Sequence, residues 1–242
     1  MPNKKFDDPA ERLDLAYLFA NISREDIHKL AHTAREIVPG VSARCAMVHV
    51  AHVAALVKKL QGTSVRPEVV IDFPDGSGGL YAKQAEAFAA SKAGAIGADI
   101  VVNMRHVIER DWESLLAECT VVRKYLDGVK LICQIPYLWH FDKGAIPWLI
   151  DYAMRAGLSA VKDWTTRQNF SLPVGKTLDT SVETRLLYTE YMAGYIVRNN
   201  LPLVLKIAGG VDASNAKKFV DAGADLLGIS YGKAASVREA LL

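Results

Sequence analysis

Lys206 sits in Leu203-Val204-Leu205-Lys206-Ile207-Ala208, a run that otherwise reads as a fully buried strand. An ammonium in that setting is costly unless it is paired, exposed at a strand end or functionally deprotonated. Lys162, in Ser159-Ala160-Val161-Lys162, occupies the same kind of place, and Asp99 opens a third apolar run, Asp99-Ile100-Val101-Val102-Asn103. A lysine in an apolar site beside another cation loses its proton more easily, because desolvation and repulsion both disfavour the charged form. The neutral amine can attack a carbonyl and form a Schiff base. A nearby carboxylate can then move the protons that carbinolamine and enamine chemistry need. The plainer reading is that each lysine ends its strand and reaches solvent, or pairs with an acid such as Asp163 or Asp72. Two lysines and an acid on separate strands weigh toward chemistry.

Ala208-Gly209-Gly210-Val211-Asp212 is a strand-to-helix turn whose backbone N–H groups can face an anion, and Gly228-Ile229-Ser230-Tyr231-Gly232 offers the same one unit later. Either turn alone reads as an ordinary tight turn; the two in succession suggest a phosphate site. Other residues carry less. His49 and His52 could share a metal, but no third ligand lies nearby and a surface pair is the simpler reading. Trp139 and His140 either line a substrate mouth or form an aromatic lid on helices. Cys133 reads as strand core.

Positioning these residues requires a repeated unit of apolar strand, polar or glycine-bearing loop, and amphipathic helix. Strands are expected at 13–18, 43–50, 68–74, 99–104, 129–135, 160–164, 203–208 and 226–230, with helices between them. Ser23, followed three residues later by Asp26, opens the first helix as a capping box. Val/Ile runs without clean alternation, separated by helices, imply parallel strands, and about eight of them suit a closed (β/α)8 TIM barrel. The expected fold is therefore α/β, one TIM-barrel domain over residues 1–242 with an N-terminal helical extension. An open doubly wound sheet is the rival, but no Gly-x-Gly-x-x-Gly follows the first strand.

At 242 residues the length suits one such domain, and the net charge of +2 comes without any Lys/Arg run suited to nucleic acid or an anionic membrane. Three cysteines without paired spacing, an N-terminus without a signal-like apolar run, and no transmembrane-length stretch point to a cytoplasmic protein.

Ala160-Val161-Lys162 followed by Thr165-Thr166-Arg167, the stretch from Leu205 to Val211, and Gly228-Ile229-Ser230 together resemble the motifs of deoxyribose-phosphate aldolases, which are class I aldolases with a TIM barrel. The likeness runs from about Leu13 to the end. The resemblance implies Lys162 as the Schiff-base lysine, Lys206 as the lysine that depresses its pKa, and Asp99 as the proton-relay acid. Asp14, in Leu13-Asp14-Leu15, resembles the family's first-strand aspartate. Gly209, Gly210, Ser230 and Arg167 would join it in binding a phosphorylated substrate. It implies no cofactor and no metal, a small carbonyl or phosphosugar substrate, and homo-oligomeric assembly.

The chain also departs from the family pattern. Asp163-Trp164-Thr165-Thr166 replaces Thr-Ser-Thr-Gly, setting a negative charge beside the amine and bulk near the pocket or behind it. Met47, His49 and Val50 replace a cysteine and a Tyr-Pro pair; Gln134 and Pro136 stand where an acid and a small residue are common; Tyr231 replaces a second serine. The leading expectation is a cofactor-independent aldolase, a carbon–carbon lyase. The alternatives are a phosphosugar isomerase or synthase barrel without an iminium, and a non-catalytic sugar-phosphate-binding barrel.

Overall fold

The eight apolar runs become eight parallel strands: β1 Leu13–Ala16, β2 Cys45–His49, β3 Arg66–Ile71, β4 Gly97–Val101, β5 Lys130–Ile132, β6 Ala160–Lys162, β7 Val204–Ala208 and β8 Leu226–Ser230. In the computed structural model, which describes residues 6–167 and 170–242, each strand pairs with the next and β8 returns to β1, closing the barrel. The N-terminal extension is a single 3-10 turn, Pro9–Arg12, among the described residues.

Helices cover the outside: α1 Arg24–Arg35, α2 Val53–Leu60, α3 Gly79–Lys92, α4 Met104–Glu109 and α5 Trp112–Arg123 in the first half. The second half adds α6 Ile135–Phe141, α7 Ala145–Arg155, α8 Val182–Arg198, α9 Ala216–Asp221 and α10 Ala234–Leu241. The capping box at α1 is complete: Ser23 Oγ accepts from the Asp26 N–H at 3.2 Å and Asp26 Oδ2 accepts from the Ser23 N–H at 2.8 Å.

Two short helices replace what reads as strand. β4 stops at Val101, and Asn103 caps α4 by accepting from the Arg105 N–H. β5 stops at Ile132, and Pro136 sits in the first turn of α6, where its missing N–H has no helical role. Trp139 therefore lies on a helix and packs edge-on against Tyr188 and Tyr191, so the aromatic lid is the reading that holds.

Strand periodicity divides the side chains between two environments. Leu15, Val48, Val69, Ile100, Leu131, Val161, Leu205 and Leu227 point outward into the apolar core under the helices. Burial of each is worth roughly 1.5–3 kcal/mol. The alternate positions face the barrel interior, and six of them carry a buried charge: Asp14, Glu68, Asp99, Lys130, Lys162 and Lys206. Among the described residues no helix is long and apolar enough to cross a membrane.

Candidate active site

Register brings the charges together. Lys162 pairs with Lys206 across β6 and β7, and Asp99 pairs with Lys130 across β4 and β5. Asp99 then reaches over the interior: its Oδ2 accepts from Lys162 Nζ at 3.0 Å and from Lys206 Nζ at 2.9 Å, while its Oδ1 accepts from Lys130 Nζ at 3.0 Å. One carboxylate thus meets three ammonium positions.

Below that level the remaining acids are shared out. Asp14 Oδ2 lies 2.7 Å from Lys206 Nζ, and its Oδ1 accepts from Arg44 at 2.7 Å. Glu68 accepts from Lys130 and, at 3.2 Å, from Arg66 Nε. Among the described residues, Lys206 therefore touches two carboxylates and Lys130 two at hydrogen-bond range, whereas Lys162 touches Asp99 alone.

This unequal sharing decides which amine gives up its proton. Burial disfavours charge on all three lysines. For Lys162, burial is the largest influence and Lys206 repels in the same direction; Asp99 only partly offsets them, so the pKa falls below the ordinary 10.5. For Lys206, burial is again the largest single influence, but Asp14 and Asp99 together outweigh it and the pKa rises. Lys130 is raised as well, Asp99 and Glu68 overcoming its burial. Asp99 is held well below the usual carboxylate range: the three ammonium groups overcome the burial that would raise it.

Above Lys162 opens a cavity of about 240 Å³. Phe19, Phe73 and Trp164 wall it, and Lys162, Lys206, Arg167, Gly209, Gly210, Ser230 and Lys233 line it. Gly209 and Gly210 have φ values of 79° and 64°, a region that favours glycine. A Cβ on Gly209 would come within 1.6 Å of Thr166 Cγ2. The Gly209 N–H is already bonded to the Gly228 carbonyl at 3.3 Å, so an anion-facing role falls to the Gly210 side of the turn. Thr166 keeps φ at 66° where the family pattern has glycine, an uncommon conformation for a β-branched residue. Arg167 lies over the Phe19 ring, 5.0 Å from its centre.

Two expected placements change. Asp14 does not line the cavity: it is fully buried beneath Lys206 and bound to Arg44, because its register on β1 sets it one level down. Asp163 is not beside the Lys162 amine. Strand alternation turns it outward, where it accepts from Arg185 Nη2 at 3.0 Å, Tyr188 OH at 3.1 Å and the Ala208 N–H at 2.8 Å. Trp164 does reach the cavity wall. His49 packs edge-on against Phe73.

Sequence reasoning passed over Lys130 and Glu68, although Val129-Lys130-Leu131-Ile132 and Glu68-Val69-Val70-Ile71 carry the same mark as Lys206, a charge inside an apolar run. Asp14, Cys45 and Glu68 bring ligand atoms within 4.8 Å of one another, close enough for a metal. Arg44, Lys130 and Lys206 already engage those carboxylates, a cationic surround that disfavours a further cation.

Known proteins bear on this arrangement. No family model matches the chain. A deoxyribose-phosphate aldolase from Mesoplasma florum is 32% identical over 178 residues, covering 72% of this chain and 73% of its own. This chain belongs to the deoxyribose-phosphate aldolase family. It is accordingly an aldolase, a carbon–carbon lyase. The Dictyoglomus turgidum member of the family is 29% identical over 226 residues, 92% of this chain and 93% of its own. The solved deoxyribose phosphate aldolase of Aeropyrum pernix superposes with a TM-score of 0.74 at 26% identity, covering 96% of this chain and 90% of that one.

Proposed function

We propose that this protein cleaves and forms a carbon–carbon bond in a small phosphorylated sugar or aldehyde through a Schiff base on Lys162, as in a deoxyribose 5-phosphate aldolase reaction. The observation that carries the reading is the sharing of charge at Asp99: of the three lysines, Lys162 alone has a single carboxylate partner and a lowered pKa, and it faces the cavity.

In the cleavage direction the Lys162 amine adds to the substrate carbonyl, giving a carbinolamine that loses water to an iminium. The iminium accepts the electron pair of the breaking carbon–carbon bond as a base removes the hydroxyl proton, so an aldehyde leaves and an enamine remains. Protonation of the enamine carbon and hydrolysis return the second carbonyl product and the free amine. Asp99 touches both Lys162 and Lys206 and is placed to pass these protons, directly or through water. Lys206, held charged by Asp14 and Asp99, keeps Lys162 neutral. Gly210, Ser230 and Arg167, joined by Lys233, are the groups we assign to the phosphate end.

The Asp163-Trp164 pair does not argue for a barrel without catalysis, because Asp163 is paired with Arg185 and its charge is the smallest of the influences on the Lys162 amine, whose pKa still falls. The Aeropyrum pernix relative is described as tetrameric, which supports self-association here as well. The test is turnover on a panel of aldehydes and sugars with and without phosphate, including deoxyribose 5-phosphate, by the native chain and by Lys162→Ala. Phosphate-dependent turnover that Lys162→Ala abolishes is expected. Turnover that survives Lys162→Ala would point to an isomerase or synthase reaction without an iminium.

A further inference from the structure

We propose that Asp163 and Arg185 are positioning residues: they grip the Ala208-Gly209-Gly210 turn from behind, fix its amide toward the cavity, and so set affinity for the charged end of the substrate without touching it. This rests on the aldolase reading and on the phosphate end assigned above.

The grip is read directly from hydrogen bonds. Arg185 stands in the first turns of α8, whose start is set by Ser181 Oγ accepting from the Thr184 N–H at 3.3 Å. Its guanidinium donates to the Gly209 carbonyl at 2.6 Å and to the Ala208 carbonyl at 2.9 Å. Trp164 Nε1 adds a second donor to the Ala208 carbonyl at 3.1 Å. On the other side of the same residue, the Ala208 N–H donates to Asp163 at 2.8 Å. Asp163 also holds Arg185 at 3.0 Å, and the guanidinium is packed against the rings of Phe219 at 4.8 Å and Trp164 at 5.9 Å. Asp163, Trp164, Arg185, Ala208 and Phe219 are all buried.

Peptide geometry turns this grip into a direction. In a trans peptide the C=O and the following N–H point opposite ways. With the Ala208 carbonyl held on Arg185, the Gly209 N–H points away from it and finds the Gly228 carbonyl. With the Gly209 carbonyl held on Arg185, the Gly210 N–H must likewise point away, and Gly210 lines the cavity. The arginine is charge-balanced by Asp163, so its contribution is orientation of the turn more than added positive potential. A residue beside Lys162 that departs from the family pattern thereby acts at the far end of the pocket.

The experiment compares the native chain with Arg185→Lys, which keeps the charge but loses the fork, and with Asp163→Asn, which keeps an acceptor for the Ala208 N–H. Each is assayed on a phosphorylated and an unphosphorylated aldehyde, and each is titrated with inorganic phosphate by phosphorus NMR. For Arg185→Lys, KM for the phosphorylated substrate is expected to rise about tenfold with kcat within about twofold, inorganic phosphate to bind about tenfold more weakly, and the unphosphorylated substrate to be unaffected. Asp163→Asn should move the same quantities in the same direction by less, and supplies the comparison if Arg185→Lys does not fold. Equal losses on both substrates, or unchanged phosphate affinity, would overturn the proposal. If the native chain turns nothing over, the aldolase reading fails, and the phosphate titration still decides the clamp: weaker binding in the variants supports it and equal binding overturns it.

Discussion

Lys206→Met probes whether Lys206 makes Lys162 reactive. Lys162 and Lys206 donate to the same Asp99 oxygen, at 3.0 and 2.9 Å. The two nitrogens are therefore no more than about 6 Å apart, and at an effective dielectric of about 20 their repulsion is at least roughly 2.8 kcal/mol, or about two pK units. Deleting Lys206 removes that repulsion. It also takes from Asp99 one of three cations, leaving the carboxylate freer to stabilise a charged Lys162. Both changes raise the Lys162 pKa, while the added desolvation by methionine opposes them weakly. Asp14 stays paired through Arg44 at 2.7 Å, so the site keeps its floor. In kcat/KM against pH, the acid limb reports loss of the neutral amine. It should move about two units toward alkaline pH in Lys206→Met, with activity on the acid side of the native limb falling about a hundredfold. Lys206→Arg, which retains the charge, should leave the limb near its original place. A limb that stays put or moves to lower pH in Lys206→Met would refute the claim that Lys206 tunes Lys162, whatever happens to the plateau height.

Two further outcomes follow from the same geometry. Gly209→Ala forces a Cβ to within 1.6 Å of Thr166 Cγ2 at a φ of 79°, so the turn must shift; KM for a phosphorylated substrate should rise at least about tenfold and Tm should fall, and unchanged kinetics would exclude the turn from the substrate site. Asp14 and Asp99 have folded pKa values below the ordinary 3.8, so the stability they contribute is present above 3.8 and is lost as pH falls through the folded values. Urea midpoints should therefore drop steeply below pH 3.8, and a flat profile there would contradict the paired state of these acids. Lys162 acts in the opposite window, adding stability as pH rises from its lowered folded value toward 10.5.

The barrel was legible because its strands are short apolar runs spaced by helices, and β8 matches its expected bounds of Leu226–Ser230. Boundaries slipped where polar and apolar residues alternate ambiguously: Met104 reads as strand but opens a helix behind the Asn103 cap, and Ile135 reads as strand but follows Gln134, whose φ of 54° ends β5 locally. Lys162, Lys206 and Asp99 could be singled out because a charge in a Val/Ile run has few innocent explanations. Asp14 reads as a ligand through its resemblance to the family's first-strand aspartate, since sequence spacing does not say how deep in a barrel a strand residue lies. Asp163 misled because adjacency in sequence suggests adjacency in space, whereas successive strand residues face opposite sides. Arg185 lies in the first turn of α8 and is unremarkable in sequence. Its partners outside α8 are Asp163 and the carbonyls of Ala208 and Gly209, contacts that exist only once α8 is packed against the ends of β6 and β7.

Borohydride trapping tests the central claim most directly. The native chain is incubated with a carbonyl substrate, reduced, digested and mapped by peptide mass. One reduced adduct is expected, carried by Lys162 and absent from Lys206 and Lys130, because of the three only Lys162 combines a single carboxylate partner, a lowered pKa and a place on the cavity wall. An adduct on Lys206 or Lys130, or none on any of the three while turnover proceeds, would contradict that claim.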